Sequence, residues 1–283
     1  MYIYKQYDQA ALNHQYNNSE LVPHVQQYYD QWAQLNREVL AGYAMTLDIP
    51  YGPGYNQQLD IYPAHVKHAP TMIFIHGGYW QKMDRSDFRF IAQAFVPHDI
   101  NTIVIGYPLA PEVGLAEIVV SVRLALTWIH YHIEDYGGDS DSLYLCGHSA
   151  GGHLSAMMMT TRFKPDDIIL KGVCALSGLY NLVPIQLSHV NGLIGMNETT
   201  ALRYSPVQYI PDNLALTLVV GGDESDEYLC QMNDLYNKWA THHTSLKTMV
   251  LPGINHFSIL SELLNSESNL FKSTLKMIHG ATL

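Results

Sequence analysis

Apolar positions along the chain fall into two kinds of run. TMIFIH (71–76), NTIVIGY (101–107), DSLYLCG (141–147), LKGVCALSG (170–178), LALTLVVGG (214–222) and SLKTMVL (245–251) are short and nearly continuous, the pattern of strands buried on both faces. Between them, 88–95, 115–133, 225–243 and 257–278 carry apolar residues at helical spacing. Strand and helix in regular alternation predict a mostly parallel, twisted sheet with right-handed crossovers and helices on both faces. Upstream, YAMTLDI (43–49) and QLDIYP (58–63) flank the turn-rich YGPGYN and predict an antiparallel hairpin. The polar, Tyr-rich opening, 1–41, reads as a helical arm. Residues 179–211 are too many for an ordinary connection and are expected to cap a site, because long insertions after strands are usually functional. No internal repeat or low-complexity tract interrupts this order, so one domain over 1–283 is expected.

Composition narrows the function. Of 283 residues, 47% are hydrophobic and 14% charged, against about 25% charged in ordinary soluble domains. The chain therefore has ample material for a core. With 15 Lys+Arg against 26 Asp+Glu, the formal charge is −11, which disfavours nucleic acid and anionic membrane surfaces as partners. The N-terminus lacks an apolar signal segment, and no apolar run reaches the roughly 18 residues of a spanning helix, so a cytoplasmic protein is expected. Cys146, Cys174 and Cys230 are odd in number and widely spaced, which disfavours a disulfide framework or a zinc site. The close pairs among the 15 histidines (His130/His132, His148/His153, His242/His243) lack a metal-ligand spacing with a carboxylate in place. Neither a metal nor a cofactor is expected. The expected partner is a small-molecule substrate, and a homodimer is allowed.

The chemistry concentrates at Gly147-His148-Ser149-Ala150-Gly151, a G-x-S-x-G between a strand and a helix-compatible stretch, GGHLSAMMMTTRF (151–163). A serine on so tight a turn needs glycines two positions before and after it, because side chains there would collide. His76-Gly77-Gly78-Tyr79-Trp80 follows an earlier strand, where an oxyanion loop belongs. The N–H groups of Gly78 and Tyr79, with that of Ala150, are the expected oxyanion donors. In the α/β-hydrolase order Ser, acid, His, the base is His256, in the loop after the last strand. The acid lies in Gly221-Gly222-Asp223-Glu224-Ser225-Asp226. An offset of three from Gly221 favours Glu224, while Asp223 and Asp226 stay open, with helix N-capping as their other role.

HGGYW (76–80), GHSAGGHL (147–154), SGLYNLVPI (177–185), GYPLAPEVGLAEIV (106–119), VNGLIGMNETTALRYSP (190–206) and NHF (255–257) resemble the kynurenine formamidase (arylformamidase) group of serine α/β-hydrolases over most of the chain from residue 43. The resemblance implies hydrolysis of N-formylkynurenine to kynurenine and formate with Ser149, Glu224 and His256 as triad. It places the oxyanion hole at Gly78 and Tyr79. Glu224 departs from the family's Asp when Glu227-Tyr228 is matched to its Glu-Phe, so a carboxylesterase acting on short acyl or aryl esters is the alternative. Trp80 and Tyr180 are the expected aromatic lining of a leaving-group pocket.

Overall fold

The computed structural model describes residues 1–160, 168–212, 214–242 and 245–280. The helix-compatible stretch at 161–163 and the last residue of the expected 225–243 helix lie outside these. Eight strands form one sheet: β1 (Thr46–Pro50), β2 (Gln58–Tyr62), β3 (Ala69–Ile75), β4 (Asn101–Ile105), β5 (Gly138–His148), β6 (Leu170–Leu176), β7 (Ala215–Gly221) and β8 (Leu246–Leu251). Their order is β1-β2-β4-β3-β5-β6-β7-β8. The expected hairpin β1–β2 is antiparallel and joins the sheet antiparallel to β4, and every pairing from β4 through β8 is parallel.

Both faces of the sheet are covered, and alternate residues of each strand enter opposite cores. Ile73, Ile75, Leu143, Leu145, Val173 and Ala175 join one core. Met72, Phe74, Tyr144, Cys146, Cys174 and Leu176 join the other. Burial on both faces explains why the period-two polar alternation of a half-exposed strand is missing from these sequences. β8 departs from this pattern: it pairs only with β7 and exposes Lys247, Thr248 and Val250. As an edge strand it carries a lysine on its rim.

The helices are α1 (Gln9–Gln15), α2 (Asn18–Leu21), α3 (Gln26–Gly42), α4 (Ala92–Phe95), α5 (Leu115–His132), α6 (Ala150–Met158), α7 (Val183–Leu187), α8 (Asn191–Ile194), α9 (Glu198–Arg203), α10 (Asp226–Trp239), α11 (Ile259–Leu264) and α12 (Asn269–His279). Two expected helices are broken. In 88–95 only α4 is α-helical. The turn before it, Arg85–Ile91, is a 3₁₀ segment kinked at Phe88 (φ −121°), whose ring stacks on His76 and lies tilted against Phe74. The 257–278 stretch splits into α11 and α12 because Asn265 leaves the helix with extended backbone and Ser268 caps the next one, accepting from the Phe271 N–H. The 179–211 insertion folds as α7 to α9 plus a 3₁₀ turn at Pro206–Gln208. Among the described residues, no helix is long and apolar enough to cross a membrane.

A buried ionic hub ties the segment after β3 to the sheet. Asp60 on β2 is fully buried. Its Oδ1 accepts from Arg85 Nε at 3.2 Å and its Oδ2 from Arg89 Nε at 2.8 Å. Arg85 also donates to Asn56 Oδ1 at 2.9 Å and pairs with Asp48 and Asp84. Removing one partner of such a set leaves buried charge uncompensated, which costs about 3–5 kcal/mol. Asp60→Ala should therefore lower unfolding stability by about that amount in urea titrations; a loss below about 1 kcal/mol would show that the hub is effectively solvated.

Candidate active site

The carboxyl ends of β3, β5, β7 and β8 deliver the loops that meet in one cleft. After β5, Ser149 takes φ +57° and ψ −117°, a conformation that an L-residue holds only under constraint. The constraint is close packing. A Cβ on Gly147 would stand 2.2 Å from the Gly151 carbonyl oxygen, and one on Gly151 would stand 1.9 Å from that of Ile75. The glycines therefore let the turn from β5 into α6 press against the end of β3, and the Ser149 N–H bonds to Leu176 O at 2.8 Å.

Glu224 is the carboxylate that meets His256. Its Oε2 accepts from His256 Nδ1 at 2.6 Å. Its Oε1 accepts from the Gly221 N–H at 2.8 Å and from Ser177 Oγ at 2.5 Å. Both carboxylate oxygens are thus satisfied in a side chain that is 1% exposed. Donation from Nδ1 to the carboxylate leaves His256 Nε2 free to accept a proton. Asp223 and Asp226 are exposed. Neither caps α10 through its side chain; Ser225 occupies the N-cap position, and its hydroxyl donates to Gln15 O at 2.6 Å.

His148 reinforces the arrangement. Its Nε2–H donates to the His256 carbonyl at 2.8 Å, which clamps the base loop to the serine turn. Burial and the neighbouring His256 hold its pKa well below the usual histidine value, so it is neutral at pH 7.

The loop after β3 turns at Gly78 (φ +104°), Tyr79 (φ +52°) and Trp80 (φ +60°). Gly78 O accepts from the N–H groups of Gln81 and Lys82 at 3.0 and 3.1 Å. The N–H groups of Gly78 and Tyr79 have no acceptor among the described residues. Ala150, first residue of α6, presents an N–H with no intrahelical partner. Gly78, Tyr79, Ser149 and His256 line a common cleft of about 260 Å³.

Trp80 and Tyr180 do not line it. Trp80 is fully buried and meets the His153 ring edge-on at 5.0 Å, because the left-handed turn that presents Tyr79 to the cleft sends the next side chain under α6. Tyr180 is 1% exposed and lies beneath Gly178, where a Cβ would approach its hydroxyl to 2.4 Å. Aromatic lining comes instead from the N-terminal arm (Tyr16, Tyr29, Trp32) with Phe88 and Phe257, and the cap insertion adds His189 and Val190.

The arm reaches the loop after β3 through a hydroxyl network that the sequence motifs do not announce. Tyr79 Oη donates to Tyr16 O at 2.8 Å, so its single proton is used. In the 2.8 Å contact between the Tyr79 and Tyr228 hydroxyls, Tyr228 is therefore the donor. Asn18 Nδ2 donates to Tyr228 Oη at 2.8 Å, and the Ser149 side chain lies near the same hydroxyl. Burial pushes both tyrosine pKa values far up, so the network is uncharged at neutral pH. The Tyr228 ring also lies 4.7 Å from that of His256. Lys5 and Tyr16 bond to Glu227 at 3.0 and 3.1 Å and hold the arm on α10. Among the described residues, no group of three His, Cys, Asp or Glu is placed to hold a metal ion.

Comparison with known proteins gives the family. The BD-FAE family model matches residues 59–239. A kynurenine formamidase of Salmo salar is 33% identical over 249 residues, 84% of this chain and 83% of that protein. The chain belongs to the kynurenine formamidase family. It is a serine hydrolase of the α/β-hydrolase fold. A solved structure from Silicibacter sp. TM1040, described as that of a candidate thioesterase, has a TM-score of 0.85 at 25% identity, covering 95% of this chain and 99% of that one. Esterase LipQ of Mycobacterium tuberculosis is 28% identical over 162 residues, 52% of this chain and 38% of its own length.

The packing of the serine turn predicts a contrast between two glycines. Gly151→Ala forces a methyl against a backbone carbonyl that cannot move aside, and should lower stability by about 3 kcal/mol, the upper end for overpacking. Gly192 lies in α8 with open space around its Cβ position, and Gly192→Ala should gain up to about 1 kcal/mol. Denaturant midpoints of the two variants check this, and equal effects would contradict the packing account.

Proposed function

We propose that Ser149 is the nucleophile, His256 the base and Glu224 the acid of a triad that hydrolyses an aryl formamide, N-formylkynurenine. The observation that carries this reading is the 2.6 Å bond to Glu224 from Nδ1 of His256, the residue that lines the cleft together with Ser149 and the Gly78–Tyr79 loop. His256 Nε2 takes the proton as Ser149 Oγ attacks the formyl carbon. The tetrahedral oxyanion is held by the N–H groups of Gly78, Tyr79 and Ala150; such donors contribute roughly 3–4 kcal/mol each. Collapse breaks the carbon–nitrogen bond as His256 returns the proton to the departing arylamine. A water, deprotonated by His256, then attacks the formyl ester on Ser149 and releases formate. The Glu224 carboxylate keeps the imidazole in the required tautomer and stabilises its charged form. No step needs a cofactor.

The likeness to the formamidases supports the formamide, and the likeness to LipQ supports ester cleavage by the same groups. An ester needs less help in expelling its leaving group, so one site serves both reactions at different rates. We also place the enzyme in the cytoplasm. Cys146 and Cys174 are register partners on adjacent strands, and both carry free thiols, as a reducing compartment allows.

Ser149→Ala and His256→Ala should each retain less than about a thousandth of wild-type turnover on formamide and ester alike. Glu224→Gln should lose on the order of 10⁴ in kcat by presenting an amide to the imidazole, while Asp223→Asn stays near wild type. Wild-type kcat/KM for N-formylkynurenine should exceed that for p-nitrophenyl octanoate about tenfold or more, with short acetate esters in between. Steady-state kinetics on one preparation decide this. Brisk ester cleavage with undetectable formamide cleavage would move the substrate to the esters and leave the triad standing.

A further inference from the structure

We infer that the cleft selects an aromatic substrate whose leaving group bears a carboxylate, and that Lys82 receives that carboxylate. The inference deepens the function proposed above and rests on its assignment of the reacting site to this cleft. Its basis is the distribution of charge. The chain carries 26 Asp+Glu against 15 Lys+Arg, yet among the described residues lining the cleft there is no Asp or Glu, and Lys82 is the only Lys or Arg. A cleft stripped of carboxylates within an acidic protein repels cations less than the rest of the surface does and concentrates anions at its one ammonium group.

Lys82 is placed to act as a reader of substrate. Its N–H bonds to Gly78 O at 3.1 Å, and its Cγ lies 3.3 Å from where a Gly78 Cβ would stand. The root of the side chain thus runs along the loop that holds the oxyanion donors. The preceding residue fixes that loop to the cap, since Gln81 Nε2 donates to Val190 O at 2.6 Å. The distance from reacting carbonyl to ammonium group is in this way tied to one short backbone turn.

The ammonium group is also unclaimed. Lys5, Arg85, Arg89 and Lys272 all make ion pairs, whereas Lys82 makes none among the described residues. A second chamber of about 270 Å³ adjoins the cleft and shares Tyr29, Trp32, Lys82 and Met83 with it. Asp87, the one carboxylate on that chamber's wall, is committed to capping: its Oδ2 accepts the Asp84 N–H at 2.9 Å. Tyr29 and Trp32 line both the cleft and this chamber and pack with Phe257 of the cleft, ring centroids 5.5–6.2 Å apart. A flat aryl ring lies against that wall with its acyl group at Ser149 and its charged tail at Lys82.

Two substrate pairs, in each of which one member bears a carboxylate, test the inference: 4-acetoxybenzoate with phenyl acetate, which differ by that carboxylate alone, and N-formylkynurenine with formanilide, which differ by the whole amino-acid chain. The readout is the ratio of kcat/KM for the charged member to that for the neutral one. Lys82→Gln should lower this ratio about tenfold, mainly through KM of the charged member, as expected when a hydrogen bond to a charged group is lost. Lys82→Glu should lower it further, Lys82→Arg should hold it within about threefold, and added salt should reduce the wild-type ratio. A ratio unchanged in Lys82→Gln would overturn the inference, as would a fall shared equally by charged and neutral substrates. If wild type cleaves only the esters, the formamide reading fails, and the ester pair still decides the role of Lys82.

Discussion

The site depends on close backbone packing at Gly147 and Gly151, where there is no room for a Cβ on either side of Ser149. At φ +57° the serine backbone sits where an L-residue is strained, and it stays there because β3, the turn and α6 are in backbone contact through Gly147 and Gly151. The same contact sets the other distances. It brings the end of β3, and with it Gly78 and Tyr79, beside the serine, and it aims the N-terminus of α6 at the point where negative charge develops. His148, locked into the turn, bonds the His256 carbonyl and sets the depth of the base. The side chains of Ser149, Glu224 and His256 come from three separate loops, but their spacing is governed by one backbone packing event.

Around this rigid floor the walls are assembled from distant parts of the chain. The arm supplies Tyr16, Asn18, Tyr29 and Trp32, and the cap supplies His189 and Val190. The arm is attached by polar bonds as well as by packing: Lys5 and Tyr16 to Glu227, Ser225 to Gln15, and Asn18 to Tyr228. Partly or wholly buried, such bonds specify a register that apolar contacts alone would leave loose. The Asn18–Tyr228–Tyr79 chain then connects the arm to the loop after β3.

The strands and the reactive loops were legible in the sequence because each is dictated locally. A strand buried on both faces must be apolar throughout, and a serine on a sharp turn must have glycines two residues away on either side. The preference for Glu224 over its acidic neighbours followed from its offset after Gly221, and Glu224 is the residue that bonds His256. What escaped depends on which way a side chain points once the chain has turned. Trp80 follows Tyr79 in a left-handed turn and so goes into the core; Tyr180 is drawn under Gly178. The arm's share of the wall, Ser177 beneath Glu224, and Lys82 at the seam of two chambers are tertiary juxtapositions that no spacing rule encodes. The expected 257–278 helix failed for a local reason, the Asn265 and Ser268 pair, which ends one helix and caps the next.

The central claim is that a single strained serine, activated by His256 and Glu224, carries the acyl group. It is tested most directly by intact-mass and peptide mass spectrometry after treatment with an aryl phosphonate, whose phosphorus stands in for the tetrahedral acyl carbon. The account predicts one adduct per chain, located on Ser149, absent in Ser149→Ala and formed far more slowly in His256→Ala and Glu224→Gln. An adduct on any other residue, or undiminished labelling of Ser149→Ala, would contradict it.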